Sequence, residues 1–285
     1  MAYAESSVTP RECSLRVQCV ELHYLEWGTP TNPPLLLLHG GSAHAHWWDH
    51  IATDLARDYW VLAFDLRGHG DSGWVVPPAY EIEDYVADLA QIVAALGLVS
   101  PILIGHSLGG FIALSYASAH AERLRALVVV DMGVRLRNSR LIRLLRHLPP
   151  PIYRDEKDVL RRFRLLPAET RAASVLLHHI ARHSVRPLQD GLLQLKCDRA
   201  TLAREPRTVL SGLPKITCPT LFMRGTESRT LSPDALSEMV HRCPSARGVE
   251  IPEAGHHVFL DNPAVFLEVV RQFLEEKKED FSCKT

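Results

Sequence analysis

Five short runs of this 285-residue chain are almost wholly apolar: residues 35–38, 60–64, 102–104, 126–130 and 220–223. Each has the length of a strand and is bounded by Pro, Gly or Asp. Continuous apolar runs, unlike alternating ones, belong to strands covered on both faces, the condition of a parallel sheet. Helical patterns lie between them. In residues 80–97, Ile82, Tyr85, Val86, Leu89, Ile92, Val93 and Leu96 recur at steps of three and four, and Gly97 ends the run. Ser232-Pro233 and Asn262-Pro263 each read as an N-cap followed by proline at the first helical position. Strands alternating with helices give an α/β fold with a mostly parallel central sheet flanked by helices.

Residues 14–27 alternate in part and predict an antiparallel hairpin ahead of this sheet. Residues 134–212 break the rhythm. They are rich in Leu and Arg, contain no strand-like run, and are cut by Pro149-Pro150-Pro151, Pro167, Pro187 and Pro206. The expected organisation is a core of residues 1–133 and 213–285 carrying a helical cap, or lid, at 134–212. Residues 132–212 hold 17 Lys and Arg against 7 Asp and Glu, and the rest of the chain 15 against 26. That asymmetry fits a substrate bearing a carboxylate. It fits better with solvated helix faces in a chain that uses Arg throughout, 26 Arg to 6 Lys.

The formal net charge of -1 gives no reason to expect nucleic acid or a charged membrane surface as partner. No apolar run reaches the roughly 18 residues of a membrane span, and the N-terminus lacks the pattern of a signal peptide. Six scattered cysteines without a C-x-x-C pair suggest reduced thiols and a cytoplasmic location. The histidines at 44, 46 and 50 cluster, as do those at 178, 179 and 183. With no H-E-x-x-H and no carboxylate set placed for ligation, they read as surface or packing residues, and no metal is expected. No dinucleotide fingerprint or P-loop occurs, so no cofactor is expected.

Gly105-His106-Ser107-Leu108-Gly109-Gly110 lies between a strand and a helical pattern. Small residues two positions either side of Ser107 let the chain turn sharply there. The turn lifts the hydroxyl clear of the sheet at a helix N-terminus, where backbone N–H groups favour developing negative charge. Here the chain resembles the α/β-hydrolase superfamily. His39-Gly40-Gly41 resembles its oxyanion loop, the segment 64–72 its glycine-rich loop, and Ala254-Gly255-His256 its histidine loop. The resemblance implies an α/β-hydrolase fold with Ser107 as nucleophile. It makes His256 the base, over its neighbour His257, and the N–H groups of Leu108 and Gly41 the oxyanion hole, with Ser42 the alternative to Gly41.

Most members carry the triad acid in a Gly-x-x-Asp pattern after the strand at 220–223. This chain has Gly225-Thr226-Glu227-Ser228, with Ser228 at the expected position. Asp131 closes the apolar run at 126–130, and a minority of the superfamily, with some ester and amide hydrolases among them, places its acid there. Asp131 is the preferred acid, facing His256 and stabilising the imidazolium, and Glu227 is the alternative. Asp65 and Asp71 read as loop-holding residues. His39 and His106 read as histidines bonded to backbone, and Trp47, Trp48, His106 and Val258 are the expected substrate-binding side chains.

The resemblance implies a cofactor-independent serine hydrolase of the carboxylesterase type acting on a small-molecule ester or amide. Alternatives on the same scaffold are a C–C bond hydrolase, a perhydrolase or a cofactor-free oxygenase, and, from another class, a ligand receptor without turnover. A homodimer is compatible with all of them.

Overall fold

The computed structural model describes residues 9–276 apart from 137–143, 146, 203–204 and 206. Strands β1 (Arg11–Val17), β2 (Val20–Trp27), β3 (Pro34–Leu38), β4 (Trp60–Phe64), β5 (Ile102–His106) and β6 (Ala126–Val130) precede the segment 134–212. Among its described residues lie five short strands: β7 (Arg135–Leu136), β8 (Ile152–Tyr153), β9 (Val185–Pro187), β10 (Leu193–Leu195) and β11 (Arg207–Thr208). Strands β12 (Thr220–Gly225) and β13 (Ala246–Ile251) follow. The helices are α1 (Asp49–Leu55), α2 (Ile82–Ala95), α3 (Leu108–His120), α4 (Glu156–Arg162), α5 (Ser174–His183), α6 (Pro233–Arg242), α7 (Val258–Asp261) and α8 (Pro263–Glu276).

The main sheet has eight strands in the order β1-β2-β4-β3-β5-β6-β12-β13. The hairpin β1–β2 is antiparallel and joins β4 antiparallel, and the remaining pairings are parallel. The apolar runs show why both faces are covered. Leu36 and Leu38 of β3 pack with Leu62 and Phe64 of β4 in one cluster, and Leu35 and Leu37 pack with Val61 and Ala63 in the other. Successive side chains of a strand point to opposite faces, so a run with no polar member needs helices on both sides. Helix α2 covers one face with Ile82, Tyr85, Leu89 and Ile92, and α8 covers the other with Phe266, Val270 and Phe273. Each such burial contributes roughly 1.5–3 kcal/mol. Helix α3 is buried along most of its length, as its nearly continuous apolar sequence requires.

The helix signals act as read from the sequence. Ser232 Oγ accepts the N–H of Ala235 with Pro233 in the first turn, and Asn262 Oδ1 accepts that of Val265. Gly97 follows α2 at φ +62°, a conformation L-residues avoid.

The segment 134–212 contains α4 and α5, and also strands that the sequence does not announce. Strands β8, β10 and β9 form a three-stranded antiparallel sheet, and β7 pairs with β11. Two or three residues are too short to show alternation, which is why no strand pattern is visible there. The β7–β11 pair joins the two ends of the segment, where the chain leaves β6 and returns toward β12. The segment is tied to the loop after β4: Asp198 N–H donates to Gly68 O, Gly70 N–H to Lys196 O, and Tyr80 Oη–H to Asp198 Oδ2 at 2.7 Å.

Candidate active site

The parallel strands deliver their carboxyl ends to one edge of the sheet, and the loops leaving those ends form the site. The register does the placing. His106 of β5 pairs with Val130 of β6, and Val130 pairs with Met223 of β12, so Ser107, Asp131 and the residues after β12 emerge side by side.

Ser107 stands at φ 51°, ψ −111°, outside the regions comfortable for a residue with a side chain. Such a conformation costs on the order of 1–3 kcal/mol and persists only where the surroundings over-determine it. Here they do. Ser107 N–H donates to Val130 O at 3.0 Å, and Gly109 N–H donates to His39 O at 3.1 Å. A Cβ on Gly105 would collide with the Gly109 carbonyl, and one on Gly109 with the Leu38 carbonyl. The glycines of the motif thus allow backbone to meet backbone on both sides of the turn.

Asp131, also at positive φ (42°), is fully buried. Its carboxylate accepts three hydrogen bonds: Gly225 N–H on Oδ2 at 3.1 Å, and on Oδ1 the Ser228 hydroxyl at 2.6 Å and His256 Nδ1–H at 3.2 Å. A buried carboxylate is tolerable when donors surround it in this way. Because Nδ1 of His256 carries the proton given to Asp131, the neutral ring keeps its lone pair on Nε2. Ser228, at the position where most members of the superfamily carry the acid, instead donates to Asp131. The sequence signal for it was the departure itself, Gly225-Thr226-Glu227-Ser228.

Among the described residues Glu227 makes no hydrogen bond to the His256 ring. It is exposed and forms a forked pair with Arg171, at 2.9 Å to Nε and 2.6 Å to Nη2, which holds its carboxyl below the usual range. His257, the rival base, donates Nε2–H to Pro167 O at 2.8 Å, and burial lowers its pKa to about 4. His106 donates Nε2–H to the carbonyl of His256 at 3.0 Å, and burial, reinforced by the neighbouring imidazoles, lowers its pKa well below the ordinary value. Among the described residues no hydrogen bond joins the Ser107 hydroxyl to the His256 ring. Such contacts in ligand-free enzymes are often long and tighten only with substrate bound.

In the loop after β3, His39 donates Nδ1–H to Gly40 O at 2.7 Å and accepts Leu66 N–H on Nε2 at 3.0 Å. A Cβ on Gly40 would lie 2.8 Å from His106 Nδ1 and 3.3 Å from Ser107 Cβ, so this loop packs directly on the serine turn. A Cβ on Gly41 would meet nothing within 4 Å, so Gly41 borders open space. Ser42 follows at φ 61°, with Cys197 Sγ of the inserted segment 3.8 Å from its hydroxyl. Leu108 N–H lies between the two engaged N–H groups of Ser107 and Gly109, at the first position of α3.

Of the expected substrate-binding side chains, Trp48 is stacked on Phe259 at 4.1 Å in the interior, and Val258 is fully buried. Trp47 meets the His257 ring edge-on at 5.4 Å, which puts it nearest the histidine loop. Asp65 holds its loop by accepting Ala45 N–H, Asp71 N–H and His23 Nδ1–H. Burial opposes its ionisation, but the His23 bond and the nearby imidazoles win, and its carboxyl lies below the ordinary range. Asp71 pairs with Lys196.

Asp261 is a residue the sequence reading missed. One of its oxygens accepts Gly255 N–H, beside His256, and the other accepts the Thr170 hydroxyl and Arg171 N–H of the inserted segment. The arginines described in that segment are largely engaged with acids: Arg154, Arg161 and Arg162 with Asp158, Arg182 with Glu156, and Arg207 with Glu83. The histidine clusters differ from expectation in one respect. A carboxylate does stand among them, since Asp49 lies between His46 and His179. Asp49 lies three residues after His46, but His179, 130 positions away, reaches it only through the fold.

Residues 35–269 match the model of the alpha/beta hydrolase family, and the chain belongs to that family. It is 29% identical over 272 residues to a 3-hydroxybutyrate-oligomer hydrolase of Cupriavidus necator, covering 87% of this chain and 93% of that one. It is 26% identical over 269 residues to an esterase of Mycobacterium tuberculosis, covering 92% and 89%. In fold it is similar to the crystal structure of E-2-(acetamidomethylene)succinate hydrolase, with a TM-score of 0.82 and 22% identity over 94% of this chain and 100% of that one. No helix among the described residues is long and apolar enough to cross a membrane.

Proposed function

We propose that the protein is a serine hydrolase that cleaves a carboxylic ester of a small organic molecule through an acyl-enzyme. The observation that carries this reading is the carboxylate of Asp131 bonded to His256 Nδ1 beside the strained turn of Ser107. His256 Nε2 takes the hydroxyl proton as Ser107 Oγ attacks the carbonyl carbon. Asp131 stabilises the imidazolium, and the N–H groups of Leu108 and Gly41 hold the tetrahedral oxyanion. His256 then protonates the departing alcohol. Water, deprotonated by the same imidazole, releases the acid and regenerates Ser107.

The open space beside Gly41 receives the acyl group, and the segment 134–212 acts as a lid over it. Contacts of Cys197 with Ser42, Pro167 with His257, and Thr170 with Asp261 support that role, since each joins the segment to a catalytic loop. The esterase and the 3-hydroxybutyrate-oligomer hydrolase among the relatives support an ester over the alternatives. The test is pre-steady-state kinetics on p-nitrophenyl esters of graded acyl length, with and without a carboxylate on the acyl chain. A burst of one nitrophenol per chain before the steady rate is expected. Absence of turnover across the series would remove the ester reading and favour a C–C or amide substrate.

A further inference from the structure

Outside the catalytic loops, four side chains converge where the core meets the inserted segment. His46 lies in the turn ahead of α1, Asp49 opens α1, and His179 and His183 lie one turn apart on α5. His46 Nδ1 and His179 Nε2 both lie 2.8 Å from the same oxygen of Asp49, Oδ2. The ring of His183 lies 3.8 Å from that of His46 and 4.4 Å from that of His179. A ligating nitrogen from each of the three rings falls within 4.8 Å of the others.

As a purely polar cluster this arrangement is poorly matched. Two imidazoles crowd one carboxylate oxygen, while the other, Asp49 Oδ1, is buried with no hydrogen-bond partner. A buried, unpartnered carboxylate oxygen is costly. The geometry points to a site for a divalent transition-metal cation of the zinc class, bound by His46, His179, His183 and Asp49.

Three imidazoles and one carboxylate are donors suited to zinc, and four ligands complete a tetrahedral structural site. His183 is already oriented as a ligand. Its Nδ1–H donates to the carbonyl of His179 at 3.0 Å, which leaves Nε2 with the lone pair in the neutral ring. His46 and His179 bind in the tautomer that carries the proton on the other ring nitrogen. The His179 side chain is 38% exposed, so an ion can reach the site from solvent.

The other histidine trio, His106, His256 and His257, is a weaker candidate. It includes His256, the proposed base, and the carboxylate beside it, Asp131, already accepts three hydrogen bonds. Two ligands of the proposed site come from the core and two from the inserted segment, so the ion would fasten α5 onto α1. Neither the donor set nor this role depends on the serine hydrolase reading.

The experiment uses the full chain, stripped with a chelator and titrated with zinc by calorimetry, with Tm measured in parallel. One equivalent is expected, with a rise in Tm of about 5 °C at saturating zinc. His179→Gln with His183→Gln should weaken that binding at least about 100-fold and remove the Tm rise. Both positions are partly exposed, and the Tm of the double variant in chelator checks that it folds. Cobalt substitution supplies a second readout, since the tetrahedral site should give intense visible absorption in the wild type and lose it in the variant. No zinc uptake by the wild type, or uptake unchanged in the double variant, overturns the proposal. Either outcome leaves the hydrolase reading untouched, because neither measurement reads turnover.

Discussion

At the carboxyl edge of the sheet, Ser107, Asp131 and His256 sit on loops that backbone hydrogen bonds and glycine contacts leave little freedom, and the only carboxylate among them is buried under three donors. In the segment 134–212 Asp158 is buried beneath three arginines, but other ion pairs are exposed on both sides, as Arg171 with Glu227 and Arg182 with Glu156. The same kind of group, an acid beside a base, therefore carries different weight in the two regions. A buried acid that loses its charge leaves its partners stranded. An exposed ion pair exchanges its partner for water at little cost.

The largest test of that contrast is the pair Asp131→Asn and Glu227→Gln. Asparagine keeps the shape but offers the His256 ring an amide instead of a carboxylate, so kcat should fall by about 10⁴. Glu227→Gln should leave kcat within about twofold, because its carboxylate faces Arg171. The reverse pattern would make Glu227 the acid and erase the distinction between the regions.

Next in size is the response to pH. Burial holds His257 neutral with a pKa of about 4, and His106 is shifted in the same direction. The unfolded chain takes up these protons near pH 6.5, whereas the folded chain resists them until the pH is much lower. Between those values unfolding draws protons, so the stability these rings contribute is complete above about pH 6.5 and is lost as pH falls toward 4. Tm should drop as pH is lowered from about 7 to about 5, by an amount reflecting a few kcal/mol. A smaller drop in His257→Asn would assign part of it to that ring.

Ser228→Ala should have an intermediate effect. It removes the 2.6 Å donor to Asp131 Oδ1 and leaves His256 and Gly225 in place. The loss of one hydrogen bond to a charged group corresponds to roughly a tenfold fall in kcat, with little change in KM. The smallest effect belongs to Arg171→Ala. Its partner is exposed, so Tm should move by less than about 2 °C in a thermal melt.

What was legible in the sequence follows the same division. The sheet could be read because each buried strand must be apolar on both faces, as residues 126–130 are, and a carboxylate ending such a run had to find donors. The serine turn could be read because only small residues allow Gly105 and Gly109 to approach their neighbours' carbonyls. Three things could not be read. Strands β7 to β11 are too short to show a period. Ser228, donating to Asp131, and Asp261, accepting from Gly255, Thr170 and Arg171, act through contacts set by folding rather than by a motif. The convergence of His46 and Asp49 with His179 and His183 joins positions at least 130 residues apart, and no local pattern records it.

The central claim is that Ser107 is made nucleophilic by His256 and Asp131. A fluorophosphonate probe followed by mass spectrometry of the intact and digested protein reads this directly. One phosphonyl group on Ser107, with loss of esterase activity, no label in Ser107→Ala and sharply slowed labelling in Asp131→Asn, is the predicted result. A folded wild-type protein that resists the probe, or one labelled equally well in Ser107→Ala, would contradict it.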